Sequence, residues 1–221
     1  MLEVQGLAVK FAKQAVLKGV DLSLGEGEII ALLGASGSGK TTVLRAVAGF
    51  QTLYQGEIHL RNQRIACNKT HLPPEKRGLG MVFQDYALFP HLNVADNIGF
   101  GLWGWSKKRK QQKIKSLLSL VKLEDLEKRF PHELSGGQQQ RIALARALAP
   151  EPDLILMDEP FSNLDPKLRQ QLAKEVRTIL KQTHTAAIVV THDINEAETI
   201  SDRMGIMVAG HIEEWQTKEA A

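Results

Sequence analysis

Gly34-Ala35-Ser36-Gly37-Ser38-Gly39-Lys40-Thr41 is the stretch that decides this fold. It fits the spacing G-x-x-x-x-G-K-[ST]. Before it stands the continuous apolar run Ile29-Ile30-Ala31-Leu32-Leu33, as expected of a strand buried on both faces. After it comes a helical stretch from Lys40 to Ala48. Glycines let backbone N–H groups turn inward around phosphate oxygens without Cβ clashes, and the helix N-terminus adds partial positive charge. Lys40 then reaches the β- and γ-phosphates of a nucleotide, and Thr41 is placed to ligate Mg2+. The alternative is a flexible Gly/Ser loop, against which the strand–loop–helix context argues. The expected nucleotide contacts are Gly34, Ala35, Ser36, Gly37, Ser38, Gly39, Lys40, Thr41 and Thr42.

Outward from this loop the chain alternates strands and helices. Residues 2–33 read as strands: Val20, Leu22 and Leu24 alternate with Asp21 and Ser23, and Gly25-Glu26-Gly27 makes a turn. Ile58 with Leu60 predicts a short strand, and Met81-Val82-Phe83 another that ends at Gln84. From Asn93 to Leu148 the pattern is helical, with Ile114, Leu117, Leu118 and Val121 on one apolar face. Strand signals return at Leu154–Met157 and Ala186–Thr191. Between them, Asp165-Pro166 starts a helix whose buried stripe is Leu168, Leu172, Val176, Ile179 and Leu180. Asp193 with Glu196 resembles a capping box, and Ala209-Gly210 predicts a hairpin between Met204–Val208 and His211–Glu213. The sum is a βαβ core interrupted by a helical insertion near residues 85–150.

Composition excludes several classes. The chain has 221 residues, 43% apolar and 24% charged, with a net charge of +3. That rules out wholesale disorder and is too weakly basic to argue for nucleic acid by itself. A single cysteine, Cys67, excludes an internal disulfide and a Cys-rich metal site, and suits a reducing compartment. No apolar run approaches the roughly 18–20 residues of a membrane span. Met1-Leu2-Glu3-Val4-Gln5 does not open a signal peptide, so a soluble, cytoplasmic protein is expected.

Two further segments carry chemistry. Asp158-Glu159 closes the apolar strand Leu154–Met157, and the carboxyl end of a parallel strand faces the ligand crevice. Asp158 there suits Mg2+ through water, and Glu159 suits an attacking water; the plainer reading is a pair of helix-capping acids. Leu134-Ser135-Gly136-Gly137-Gln138-Gln139-Gln140-Arg141 opens another helix, a second anion site or a simple N-cap.

With this last segment the chain resembles the ATP-binding-cassette (ABC) ATPases from end to end. The resemblance implies an α/β P-loop NTPase with a strand-rich N-terminal lobe and an inserted helical subdomain. Residues 1–84 and 151–221 would form the catalytic core and β lobe, and residues 85–150 the helical subdomain. It implies that Ser135, Gly136, Gly137 and Gln138 reach across a head-to-tail homodimer to the γ-phosphate held by the partner's loop. It further implies that Gln84 senses Mg2+ and the attacking water, and that His192 is a switch histidine at the γ-phosphate. Ser162-Asn163-Leu164-Asp165 looks like the loop crossing the dimer interface, where the family usually has Ala in place of Asn163. Phe11, with Val16 beside it, takes the place of the aromatic that stacks on adenine, the alternative being a strand-core phenylalanine. ATP and Mg2+ are the implied cofactors, and Glu159, His192, Gln84 and Lys40 the implied catalytic residues. Metal contacts fall to Thr41, Gln84 and Asp158. A carboxylate at Gly137 is expected to meet the partner's γ-phosphate.

Within that family, Phe83–Ile98 and Pro131–Ser135 resemble importers working with periplasmic or surface solute-binding proteins. Asn68–Arg77 and Gln138–Arg141 are most similar to ferric-iron importer ATPases, with spermidine/putrescine, sulfate and sugar importers close behind. The implied setting is the cytoplasmic face of the inner membrane, as a peripheral subunit. Integral-membrane permease subunits would dock between Gln84 and Trp105, and no nucleic acid is expected. Many such ATPases carry a C-terminal regulatory domain, which would begin near Glu219-Ala220-Ala221; a short member or a longer chain cut there are both consistent. A soluble ABC ATPase acting on nucleic acid and a small P-loop kinase stay as alternatives. The run Lys107-Lys108-Arg109-Lys110 reads as a solvated basic face. Trp103 and Trp105 read as packing residues or a partner surface.

Overall fold

Strands of two textures build two sheets in the computed structural model, which describes residues 1–12 and 14–217. The segment Glu219–Ala221 lies outside the described residues. The first half of the chain contains β1 (Leu2–Phe11), β2 (Gln14–Leu24), β3 (Ile29–Leu33), α1 (Lys40–Ala48), β4 (Gln55–Leu60), β5 (Gln63–Cys67) and β6 (Leu79–Val82). Then follow α2 (Val94–Gly99), α3 (Lys107–Leu120), α4 (Gly136–Leu148), β7 (Leu154–Asp158), α5 (Pro166–Gln182), β8 (Ala186–Thr191), α6 (Ile194–Ile200), β9 (Arg203–Val208) and β10 (His211–Thr217).

The half-buried strands pair antiparallel in the order β2-β1-β4-β5. The apolar ones form a second sheet, β10-β9-β3-β8-β7-β6, parallel except for the β9–β10 hairpin. Strand side chains alternate between faces, so each central strand serves two cores. Ile30, Leu32, Leu154, Leu156, Ile188 and Val190 share one with α1 and the first sheet. Ile29, Ile155, Met157, Ala187 and Val189 share the other with α4 and α5. The helices of the insertion bury Ile114, Leu117 and Leu118 into this same second core rather than into one of their own.

Several expectations need correction. The strand β5 is an addition, since Gln63-Arg64 offers no apolar alternation to announce it. The stretch from Asn93 to Leu148 is helical as expected, carrying α2, α3 and α4 with breaks around Gly101, Gly104 and Pro131. The capping box expected at Asp193 and Glu196 is only half made. Asp193 accepts from the Asn195 and Glu196 N–H groups, but the Glu196 carboxylate accepts from the Thr191 hydroxyl and pairs with Arg169 instead. The hairpin at Ala209-Gly210 forms as expected, both residues adopting positive φ (47° and 89°).

Helix α1 is fixed firmly at its far end. Gly49 terminates it with φ 93°, and buried Arg77 donates from Nη1 to the Ala46 and Val47 carbonyls, both at 2.8 Å. Burial lowers the Arg77 pKa to about 10, which leaves it cationic at neutral pH, as suits a helix C-terminus. Nothing in the sequence spacing around Arg77 announces this role.

Candidate functional site

The carboxyl ends of β3, β7 and β8 meet at one edge, and each carries a polar segment just beyond its last apolar residue. From β3 the loop Gly34–Gly39 wraps into α1. Two glycines in it are sterically required. A Cβ on Gly34 would collide with the Met207 carbonyl oxygen, and one on Gly39 would come within 2.7 Å of Leu17 Cδ2. Gly39 also holds φ 107°, so α1 starts with no side-chain cap and its first N–H groups point at the loop. The Ser38 hydroxyl is buried there without a partner. Backbone of Val16 abuts Gly39, while Phe11 stands at the β1–β2 hairpin tip, 48% exposed rather than in a strand core.

Lys40 is buried under the loop, and its Nζ donates to the Gly34 and Ala35 carbonyls at 2.7 and 2.9 Å. Burial lowers its pKa, opposed by the nearby charges of Glu159 and Asp158. Thr41, one residue on, donates from Oγ1 to Asp158 Oδ1 at 2.8 Å. Asp158 ends β7, where burial raises its pKa against the opposing Thr41 hydrogen bond and Arg45 charge. Glu159 turns the chain with φ 45°, and its N–H bonds the Val190 carbonyl at 3.0 Å. This ties its carboxylate to the end of β8, where His192 Nδ1 lies 3.2 Å from Glu159 Oε2. His192 also lines a cleft of about 650 Å³ with Gly34–Ser38, Ile206 and Met207.

A second cleft, about 610 Å³, opens at the opposite ends of the strands. In its lining Arg61 pairs with Asp153 and Lys113 with Glu151. Open α/β sheets bind ligands outside the carboxyl ends of their strands, so the first cleft is the candidate.

Two expected participants sit at the margin. Gln84 follows β6 and is exposed; its carbonyl accepts from Asn163 Nδ2 at 2.9 Å. The position where the sequence departs from family habit thus clips the segment after Glu159 to the segment after β6. Ser135, Gly136, Gly137 and Gln138 do not line the cleft. They start α4 with a reciprocal capping box: Ser135 N–H to Gln138 Oε1 at 2.9 Å, and Gln138 N–H to Ser135 Oγ at 3.3 Å. Gly137 is buried, and a Cβ there would stand 3.2 Å from Leu172 Cδ1 of α5. A carboxylate at Gly137 would therefore be driven against α5 leucines, contrary to the expectation that it would face a phosphate. Exposed Ser135 is the better position to vary. Arg146 of α4, which no sequence signal singles out, donates to the Tyr86 and Ala87 carbonyls at 2.9 and 2.6 Å, joining α4 to the Gln84 segment.

A glycine loop on an uncapped helix, a lysine beneath it, and a hydroxyl–carboxylate–imidazole set at adjacent strand ends define the phosphate-binding-loop class of α/β proteins. More narrowly, the chain belongs to the ABC transporter family, whose sequence profile matches residues 17–162. It is 49% identical over 214 residues to the Fe(3+) ions import ATP-binding protein FbpC of Haemophilus influenzae (strain 86-028NP), covering 96% of this chain and 61% of that protein. It is 44% identical over 215 residues to the spermidine/putrescine import ATP-binding protein PotA of Roseobacter denitrificans, covering 96% of this chain and 58% of the relative. The chain thus spans about three fifths of the length of these curated relatives. Among solved structures it is similar to the dimeric ABC transporter cassette MJ0796, with TM-score 0.85 and 30% identity over 100% of both chains. It is also similar to cbiO1 from Clostridium perfringens, with TM-score 0.89 and 26% identity over 98% of this chain and 88% of that one. The fold is that of an ABC cassette.

Proposed function

We propose that this chain binds MgATP and hydrolyses it as a head-to-tail homodimer, driving a binding-protein-dependent membrane importer with ferric iron as cargo. The observation that carries the reading is the convergence of Lys40, Thr41, Asp158, Glu159 and His192 on one loop-lined edge. Lys40 exchanges its two loop carbonyls for phosphate oxygens, and the uncapped α1 N–H groups hold the same anion. Glu159, with His192 against its carboxylate, orients the attacking water and takes its proton. Thr41, Asp158 and Gln84 offer the hard oxygen donors that suit Mg2+. Among the described residues no cluster of three His, Cys, Asp or Glu forms a site without substrate. Bound there with ATP, the ion would neutralise charge on the phosphoryl oxygens.

In this reading Ser135–Gly137, which lie outside the cleft, act on a partner's γ-phosphate, a two-chain site that a symmetric pair makes twice. Phe11 and Val16 take the adenine. Residues 85–150 work as a unit that receives the permease near Leu88 and Phe89, and the subunit sits peripherally on the cytoplasmic face of the membrane. No helix among the described residues is long and apolar enough to cross a membrane. The ferric-iron cargo rests on the likeness of Asn68–Arg77 and Gln138–Arg141 and on the names of relatives; spermidine, sulfate or sugar importers share the same chemistry.

The test is Glu159→Gln. The amide keeps the shape but takes no proton, so turnover should fall on the order of 10²-fold or more while ATP binding survives and dimers accumulate. Hydrolysis at the parent rate, measured as phosphate release, would reject Glu159 as the base. Uptake of labelled ferric iron by vesicles carrying the permease tests the cargo; uptake of a polyamine or sulfate instead would replace it.

A further inference from the structure

We propose that Arg169 is a positioning residue for hydrolysis, tying segment 162–165 to His192. It acts through Thr191, Asp193 and Glu196, and sets the imidazole against Glu159. The inference rests on the ATPase reading above and names what holds its histidine. Arg169 stands near the start of α5, half-buried, with its guanidinium spread over two other parts of the chain. Nη2 donates to the Leu164 carbonyl at 3.1 Å, and Nη1 donates to Asp193 Oδ2 at 3.2 Å. Nε lies 3.2 Å from Glu196 Oε1 as an ion pair, buried there without an aligned hydrogen bond.

Both chain neighbours of His192 belong to this set. Thr191, buried at the end of β8, donates its hydroxyl to Glu196 Oε2, and the same oxygen accepts from the Asp193 N–H at 3.0 Å. Asp193 in turn accepts from the Asn195 and Glu196 N–H groups at the start of α6. His192 itself is exposed, so the backbone on either side directs its ring more than packing does. On the far side the Ser162 hydroxyl donates to the Glu159 carbonyl at 3.0 Å. The contacts therefore close a ring that leaves Glu159 along segment 162–165, crosses Arg169 and returns through His192, whose Nδ1 is 3.2 Å from Glu159 Oε2.

Stability is a poor reason for this ring. Glu196 is 3% exposed, and burial raises its pKa against the Thr191 hydrogen bond and the Arg169 charge. A buried carboxylate is a costly fastener, and apolar packing would join α6 to α5 at least as well. What the polar set adds is direction. A planar guanidinium bonds along fixed lines, so a shift of the Leu164 carbonyl is passed on to Asp193 and Glu196. In the dimer proposed above, segment 162–165 meets the partner chain. Arg169 thus makes the setting of His192 depend on that partner.

The experiment is steady-state phosphate release by the whole chain, with kcat and KM for ATP separated. Arg169→Lys keeps a charge beside Glu196 but lacks the fork that reaches Leu164 and Asp193 as well. It should lower kcat on the order of 10-fold to 10²-fold, the cost of a group displaced by about 1 Å, with KM unchanged. In a His192→Ala background the same change should cost nothing further, because its route to the reaction is gone. Thr191→Val, which loses the hydroxyl, should behave as Arg169→Lys does, and Thr191→Ser, which keeps it, should restore kcat. A packing role predicts the reverse order, since serine loses the buried methyl. The threonine pair carries the test if the lysine variant does not fold. Parent kcat in Arg169→Lys, a raised KM with kcat unchanged, or Thr191→Ser slower than Thr191→Val overturns the proposal. So do costs that multiply in the double variant, and so does His192→Ala at the parent rate. A parent chain that releases no phosphate overturns the ATPase reading and this inference with it; multiplied costs in an active parent overturn this inference alone.

Discussion

Two helices of this chain start with glycine and serine, and they start differently. At α1, Gly39 in a left-handed conformation leaves the first turn without any side-chain cap. At α4, Ser135 and Gln138 satisfy each other's backbone in a closed capping box. A helix start has four N–H groups without intrahelical partners, and what its own side chains already satisfy decides how much it offers a ligand. The α1 start offers everything, and Lys40 adds a charge held only by two loop carbonyls. The α4 start has already engaged two N–H groups, those of Ser135 and Gln138, in its closed box. Such an end is rigid and exposed, suited to meeting an anion held elsewhere. Similar composition therefore produces a cradle in one place and a cap in the other.

The sharpest break of this contrast is Lys40→Ala. If the open start is the primary phosphate grip, hydrolysis should drop on the order of 10³-fold and binding of a fluorescent ATP analogue should weaken with it. Parent-like binding by this variant would remove the distinction. Next in size is Ser135→Asp, which keeps a good N-cap residue but adds a negative charge at the α4 start. Two like charges at about 4 Å repel by about 4 kcal/mol at an effective dielectric near 20, so ATP-driven dimerisation and turnover should fall on the order of 10²-fold or more. ATP binding by the monomer and the melting temperature should stay unchanged. Turnover that persists in a folded Ser135→Asp protein would confine the chemistry to one chain.

Smaller and opposite in sign is Asp158→Asn. Burial raises the Asp158 pKa, so its charge costs folded-state stability wherever the carboxyl is ionised. The neutral amide, still able to accept from Thr41, should raise the melting temperature without nucleotide by a few degrees at pH 7 while hydrolysis falls. The gain should fade as pH drops from the raised folded value to the unfolded value near 4, where both side chains are neutral. A lower melting temperature at pH 7 would contradict it. The smallest effect belongs to Ser135→Ala, which removes the cap: about 1 kcal/mol, or roughly 2–4 °C for a chain of this size. Calorimetry showing no loss would mean the box contributes nothing to α4.

Patterns written within a few residues are legible in the amino-acid sequence. The run Ile29–Leu32, the stripe Leu172, Val176, Ile179 and Leu180, and the α3 face Ile114, Leu117 and Leu118 are buried as their periodicities imply, while Leu33 and Leu168, at the ends of their runs, are only half-buried. Periodicity is local, and burial of one face follows from it whatever the neighbour is. The capping signals are less decisive. Ser135-x-x-Gln138 closes its box, whereas Asp193-x-x-Glu196 does not, because Arg169 and Thr191 from other elements compete for the Glu196 carboxylate.

By itself the sequence determined the phosphate-type loop, the strand and helix textures, and the residues Lys40, Thr41, Asp158, Glu159 and His192 as a candidate set. Only the tertiary structure decided which of these meet. Thr41 and Asp158 are 117 residues apart, and Asn163 lies 79 residues from the Gln84 carbonyl it holds. Whether such pairs touch depends on the strand order β3-β8-β7-β6, which brings distant strand ends side by side. The same holds for direction. That Gly137 faces α5, that Trp103 faces solvent and that Trp105 faces the core depend on what packs against each, and packing partners come from elsewhere in the chain.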